Sequence, residues 1–181
     1  FSLALKQAEE VGDKKAMAWC MQCIGNWYAA SKDDYDTALE YYSKSLSIRE
    51  QLNDMEGVKK SLNGIGNIYS EKNKFDLALD YYKRGLKISD ELCDNSQIDR
   101  ILNNIGTVYF EQSNYDLALE YYIKSRKISQ DNQEISLMEI ILDNIGQIYL
   151  IKGKYREALN YLKKASKIRK ALGYKNHRLW S

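Results

Sequence analysis

The chain has no proline and only one histidine among its 181 residues. The absence of proline suits an all-helical protein, because nothing in the sequence forces helices to break or kink. With His177 as the sole imidazole, no Ser/His/Asp or Cys/His set can form around a positioned base, and no zinc site has its usual nitrogen ligands. The three cysteines are too few for a disulfide framework. Cys20 and Cys23 form a lone Cys-x-x-Cys without the second pair or the two histidines that zinc requires, and the motif does not follow a strand as a redox site would. These thiols read as packing or groove-lining residues in a reducing, cytoplasmic setting. A dominant charge is missing too: 27 basic against 25 acidic residues leave a net charge of +2, which gives nucleic acid or an anionic membrane no field to follow. No apolar run approaches the roughly 20 residues of a membrane span, and Phe1-Ser2-Leu3-Ala4-Leu5 has neither the basic start nor the apolar middle of a signal peptide.

What the sequence does have is repetition. Gly25, Gly66, Gly106 and Gly146 recur at intervals of 41, 40 and 40 residues, each followed three positions later by Tyr28, Tyr69, Tyr109 or Tyr149. Ala38, Ala78, Ala118 and Ala158 recur every 40 residues. A fixed period in this range signals stacked supersecondary units, each too small to bury its own apolar face. Within a unit the spacing is helical: Ile98, Ile101, Leu102, Ile105, Val108 and Tyr109 step by three and four, and Leu117, Ala118, Tyr121, Tyr122 and Ile128 do the same. Short polar stretches, Lys72-Asn73-Lys74, Glu111-Gln112-Ser113-Asn114 and Lys152-Gly153-Lys154, separate the two helices. Each repeat is therefore a helix, a tight turn and an antiparallel helix.

The glycines lie inside the first helix, where each costs about 1 kcal/mol relative to alanine. Their recurrence at one phase marks a close approach of backbones, with Ala38, Ala78, Ala118 and Ala158 as natural facing partners. Ser45, Gly85, Ser125 and Ala165 provide a second small position. Tyr42, Tyr82, Tyr122 and Leu162 fill the space around these contacts, so most of the tyrosines read as packing. Asp76, Asp116 and Glu157, near the starts of second helices, read as partners of the helix dipole.

This pattern resembles the tetratricopeptide repeat family. Gly106, Tyr109, Ala118, Tyr122 and Ser125 match the family's small, aromatic, small, aromatic and small positions, and the other units largely follow. The repeat is about six residues longer than the usual 34 and lacks the helix-ending proline. It is similar in this to the longer variety found in kinesin light chains, LGN-type adaptors and bacterial peptide receptors. The resemblance implies an all-α superhelix, a solenoid of stacked antiparallel helix pairs, with a concave wall lined by the first helix of each pair. The expected organisation is the tail of a preceding second helix over 1–12, repeats over 13–53, 54–93, 94–133 and 134–173, and the start of a further, truncated repeat over 174–181 that includes Trp180. The chain on this reading is a fragment of a longer protein.

On the wall so implied, the outward phase holds Trp19, Gln22, Cys23 and Asn26 in the first unit and Lys60, Asn63, Gly64 and Asn67 in the second. Arg100, Asn103, Asn104 and Thr107 follow in the third, then Ile140, Asp143, Asn144 and Gln147 in the fourth. Asparagine inside a helix costs about 0.5 kcal/mol, so the concentration of carboxamides calls for a reason other than helix propensity. A carboxamide can pair with both the N–H and the C=O of an extended peptide. The expected peptide-binding residues are therefore Asn26, Lys60, Asn63, Asn67, Arg100, Asn103, Asn104, Thr107, Asn144 and Gln147, the two cations favouring an acidic group. The alternative is that these amides bond across neighbouring repeats or face water. The carboxylate clamp of chaperone adaptors is matched at Asn67 and Asn104, but Asn63, Ile140 and Asn144 stand where its cations belong, which argues against chaperone tails as ligand.

The expectation is a protein-binding module, the scaffold or regulatory region of a larger signalling protein, with no catalytic residue, metal or cofactor and no nucleic acid or membrane partner. A structural spacer that self-associates through its terminal repeats is the alternative. A regulatory segment of an enzyme whose catalytic domain lies outside this chain is a more distant one.

Overall fold

The computed structural model describes residues 2–32, 34–92, 94 and 96–173. Residues 174–181, with His177, Trp180 and the further repeat expected there, lie outside the described residues. All regular structure among those described is helical: α1 (Ser2–Val11), α2 (Lys14–Lys32), α3 (Tyr35–Gln51), α4 (Met55–Glu71), α5 (Phe75–Leu92), α6 (Ile98–Glu111), α7 (Tyr115–Asp131), α8 (Ile135–Ile151) and α9 (Tyr155–Ala171). The chain divides into two compact units, residues 1–94 with α1–α5 and residues 95–181 with α6–α9.

Without proline, the helices are stopped by single residues in the left-handed conformation. Asn53, Asn73, Ser113, Gln133, Gly153 and Gly173 all have positive φ and stand 20 or 40 positions apart, so a helix and its turn together take 20 residues. The N–H groups that follow fold back on the helix end: Asn73 N donates to Ser70 O at 2.9 Å and Lys74 N to Tyr69 O at 2.8 Å. The next helix is then capped from its start, as where Asp34 and Asp54 accept from Thr37 N and Gly57 N at 3.1 and 3.0 Å. Among the described residues the rhythm slips by one between Gly12 and Asn53 and breaks before α6. Before α6 the left-handed residue is Gln97, and α6 begins at Ile98 and runs 14 residues where α4 and α8 run 17. In that irregular link Asp94 takes the ammonium of Lys59, whose side chain is wholly buried and needs a counter-charge there.

Contacts within a pair run in opposite sequence directions, as antiparallel packing demands. Ser45 Oγ donates to Ala18 O at 2.7 Å near one end of the α2–α3 pair, and Tyr42 OH donates to Asn26 Oδ1 farther along. Ser125 Oγ donates to Asp99 O at 2.6 Å in the equivalent place between α6 and α7. Stacked tyrosines, Tyr28 on Tyr41, Tyr69 on Tyr81, Tyr109 on Tyr121 and Tyr149 on Tyr161, hold each pair at ring separations of 5.4 to 5.9 Å.

The cores straddle successive pairs. In the first unit Ala38 and Tyr42 of α3 pack with Ile65 and Ile68 of α4. In the second, Ala118 and Tyr122 of α7 pack with Ile141, Ile145 and Ile148 of α8. This is the arrangement expected of units that bury their apolar faces only on neighbours. Ion pairs tie the same junctions: Asp36 to Lys72 in one unit and Asp116 to Lys152 in the other. Hydrogen bonding from these lysines, more than their charge, holds both aspartates below the usual carboxylate range. Asp116 thus has a specific partner in the following pair besides its place in the first turn of α7.

The repeated glycines are fitted mainly to the second-helix ring. A β-carbon at Gly66 would stand 2.5 Å from the Tyr82 ring and one at Gly106 2.8 Å from the Tyr122 ring, with the Ala118 carbonyl at 3.3 Å. Gly64, expected on the outward wall, is buried, and a β-carbon there would strike the ring of Tyr42 from the preceding pair.

Candidate functional site

The outward faces of the first helices were expected to present amides, and the structure gives several of those amides internal partners. Tyr42 and Tyr82 cross their helix pairs and end on Asn26 Oδ1 and Asn67 Oδ1, the latter at 2.7 Å. In the third pair Tyr122 OH lies 3.1 Å from Thr107 Oγ1, which also donates to Asn103 O at 3.1 Å. In the fourth pair the ring is replaced by Leu162, and Gln147 turns instead to Asp143 at 2.6 Å. The residue after each repeated glycine is therefore an acceptor for a buried phenol wherever a phenol is present. Burial pushes Tyr42 and Tyr122 up to about 12, and Tyr82 higher still.

The remaining expected residues divide by unit. In the second, Asn144 Nδ2 donates to Asn103 Oδ1 at 3.3 Å, linking α8 to α6, and Asn103 is only 7% exposed. Arg100 is exposed and pairs with Glu134 at 3.3 Å, and Asn104 is half-buried on the same helix. In the first unit Asn26 and Asn67 are exposed, Asn63 is half-buried, and exposed Lys60 pairs with Glu56 one turn earlier at 2.6 Å.

In the first unit these residues surround a cleft. Trp19, Cys23 and Asn26 of α2, Lys60 of α4 and Arg49 of α3 line a cavity of about 420 Å³, with Lys15, Asp54 and Glu56 at its border. Trp19 is 56% exposed beside it. Cys20 and Cys23 are both free thiols; Cys20 is buried, while Cys23 lines the cavity and is pushed up first by burial and then by Cys20.

Arg49 was not among the expected residues. It is 5% exposed, and its Nη1 donates to Gly57 O at 2.6 Å. Burial lowers its pKa, and its buried Nε finds no protein acceptor. Room for it depends on Gly57, where a β-carbon would stand 2.7 Å from Arg49 Cδ. The signal in the sequence is weak: the same phase holds Ser89 and Ser129 in the next two pairs but Arg169 in the fourth, and what sets Arg49 apart is that Arg169 pairs with Glu139 and Asp143.

Among the described residues no group of three or more His, Cys, Asp or Glu side chains could hold a metal ion, and no helix is long and apolar enough to cross a membrane. Stacked antiparallel helix pairs with cores shared between neighbours define an all-α repeat protein of the solenoid class. The tetratricopeptide repeat signature matches residues 16–91 and 97–171, and the chain belongs to that family, whose repeats generally serve as protein-interaction modules. No curated protein matches the sequence. Among solved structures it is similar to BtubC (BKLC) from P. vanneervenii, at 20% identity and a TM-score of 0.74, over 93% of this chain and 69% of that one. It is also similar to the apo form of RapI, at 21% identity and a TM-score of 0.75, over 92% of this chain and 46% of that one. A signal transduction ATPase with a tetratricopeptide repeat sensor from Pyrococcus horikoshii matches at 22% identity and a TM-score of 0.75, over 91% of this chain and 26% of that one. The chain thus spans under half the length of the latter two.

Proposed function

We propose that the chain is a peptide-binding module in which the outward faces of the first helices receive an extended segment or a helix of a partner protein. The observation that carries this reading is the cleft of the first unit, where Trp19, Asn26 and Lys60, from successive first helices, open onto one cavity of about 420 Å³. A concave site with an aromatic wall and a few polar groups suits a side chain of a bound peptide. The near balance of 27 basic and 25 acidic residues favours protein over nucleic acid as partner. The free thiols of Cys20 and Cys23 suit a cytoplasmic setting. The solved protein in which such repeats form the sensor of a signalling ATPase supports a regulatory role within a larger polypeptide, the repeats themselves doing no chemistry. In the second unit Arg100, Asn104 and Asn144 would extend the contact surface of that unit.

Selection of peptides from a random library against the purified protein tests this. Trp19→Ala and Lys60→Ala, both at exposed positions, are expected to weaken selected peptides at least about tenfold with helicity unchanged. Wild-type affinity in both variants would refute the groove.

A second reading, self-association, is favoured by the outer side of α9, where Tyr155 is 71% and Leu159 53% exposed while Leu79, at the phase of Leu159, is buried. Sedimentation across a hundredfold range of dilution separates the two readings: a mass that falls with dilution, and persists in Trp19→Ala but not in Leu159→Glu, assigns association to α9.

A further inference from the structure

Arg49 combines features that the groove alone does not require. Its guanidinium is charged at any ordinary pH, yet it is buried with one carbonyl partner and an orphaned Nε. A buried charge is costly, and Asp54 and Glu56, whose charges favour the guanidinium but which make no ion pair in contact with it, offset that cost only in part. Asp54 Oδ1 caps α4 through Gly57 N at 3.0 Å, and Glu56 is paired with Lys60 at 2.6 Å. Lys15, Arg49 and Lys60 against Asp54 and Glu56 leave the cavity border with an excess positive charge. The position is also built for this residue, since Gly57 makes room for the arginine stem and neither Gln97 nor Leu137, at the same phase, could do so.

We infer that this cavity is a carboxylate subsite: Arg49, assisted by Lys15, takes one carboxylate of the bound peptide while Trp19 packs against its neighbouring atoms. The inference rests on the groove reading and adds a chemical preference to it. The fork of Arg49 turns toward the cavity on binding, exchanging an incomplete set of hydrogen bonds for a charge-assisted pair. A monoanion is preferred to a phosphate dianion, because Asp54 and Glu56 border the same space and repel additional negative charge. The carboxylate can belong to an acidic side chain or to a chain terminus.

Three alanine pentapeptides distinguish these sources: one blocked at both ends with a central glutamate, one blocked with a central glutamine, and one of alanine alone with a free C-terminal carboxylate. The readout is the Nε–Hε resonance of Arg49, identified by its loss in Arg49→Lys. Saturation by the glutamate probe at about tenfold lower concentration than the glutamine probe is the expected result. The same advantage for the free-carboxylate probe alone assigns the site to a chain terminus. Equal response to all three overturns the subsite. Lys15→Gln, at an exposed position, is expected to weaken the carboxylate probes about threefold without affecting the glutamine probe, and it decides the matter if Arg49→Lys does not fold. Unchanged carboxylate affinity in Lys15→Gln removes that lysine from the site. Library peptides that depend on Trp19 and Lys60 but tolerate loss of every carboxylate retain the groove and eliminate this subsite. A glutamate-selective Arg49 shift with no selected peptide eliminates the groove reading alone.

Discussion

Tyr82 is buried along its ring and ends on the amide of Asn67. In Asn67→Ala the phenol loses that acceptor, which is expected to lower stability by about 1 kcal/mol, and Tyr82→Phe placed on top should recover part of the loss because the stranded hydroxyl disappears with it. Urea unfolding of the two single variants and the double variant measures the coupling. The three buried phenols also fix the alkaline limit of the fold. Their pKa values are raised by burial, to about 12 for Tyr42 and Tyr122 and higher for Tyr82, so the unfolded chain releases these protons first. Stability is therefore intact below the ordinary tyrosine value near 10 and declines as pH rises from there through about 12. Unfolding followed by circular dichroism should coincide with tyrosinate absorbance, and ionisation of all tyrosines before unfolding would contradict it. At the acid end the sign reverses for Asp36 and Asp116, whose lowered pKa values make their contribution present at neutral pH and lost as pH falls below the ordinary carboxylate range.

At the scale of the element, the turns decide how helices end. Gln133 adopts φ of 58° with a side chain attached, whereas Gly153 occupies the equivalent conformation at 69° without one. Gln133→Gly should raise the thermal midpoint, by about 0.5–1 kcal/mol of stability, and Gly153→Ala should lower it by a similar amount. Calorimetry on the two variants checks both signs. Much of this level was legible in the sequence, because three-and-four spacing of Ile98, Ile101, Leu102, Ile105 and Val108 and the polar breaks near Asn73, Ser113 and Gly153 follow directly from helix geometry. The irregular approach to α6 was not, since no glycine or proline marks Gln97, and it falls outside the 20-residue spacing of the other turns. The site was less legible than the fold. Periodicity places Asn26 and Asn67 on an outward phase but cannot show that a tyrosine from the other helix reaches through to them. Arg49 escaped for a related reason: it belongs to a second helix, and only three-dimensional packing against Gly57 brings its guanidinium to the wall of the first.

Across the molecule, stability is distributed among junctions instead of being pooled in one centre. Ile145 is fully buried between α7 and α8, and Ile145→Ala should cost about 2–5 kcal/mol by opening a cavity there. Because the pairs within a unit lean on one another, amide exchange in this variant should accelerate in α7–α9 well before α2 and α3 lose protection. Uniform acceleration through all helices would instead indicate a single cooperative unit.

Turns set at even intervals have a consequence for how such a gene can change. A forty-residue segment can be copied or excised, and the flanking helices still meet surfaces of the kind they met before. The junction holding Arg49 and Gly57 is the exception, because no other described copy carries both residues. A lineage that alters its number of helices would be expected to gain or shed copies elsewhere and to keep that one intact.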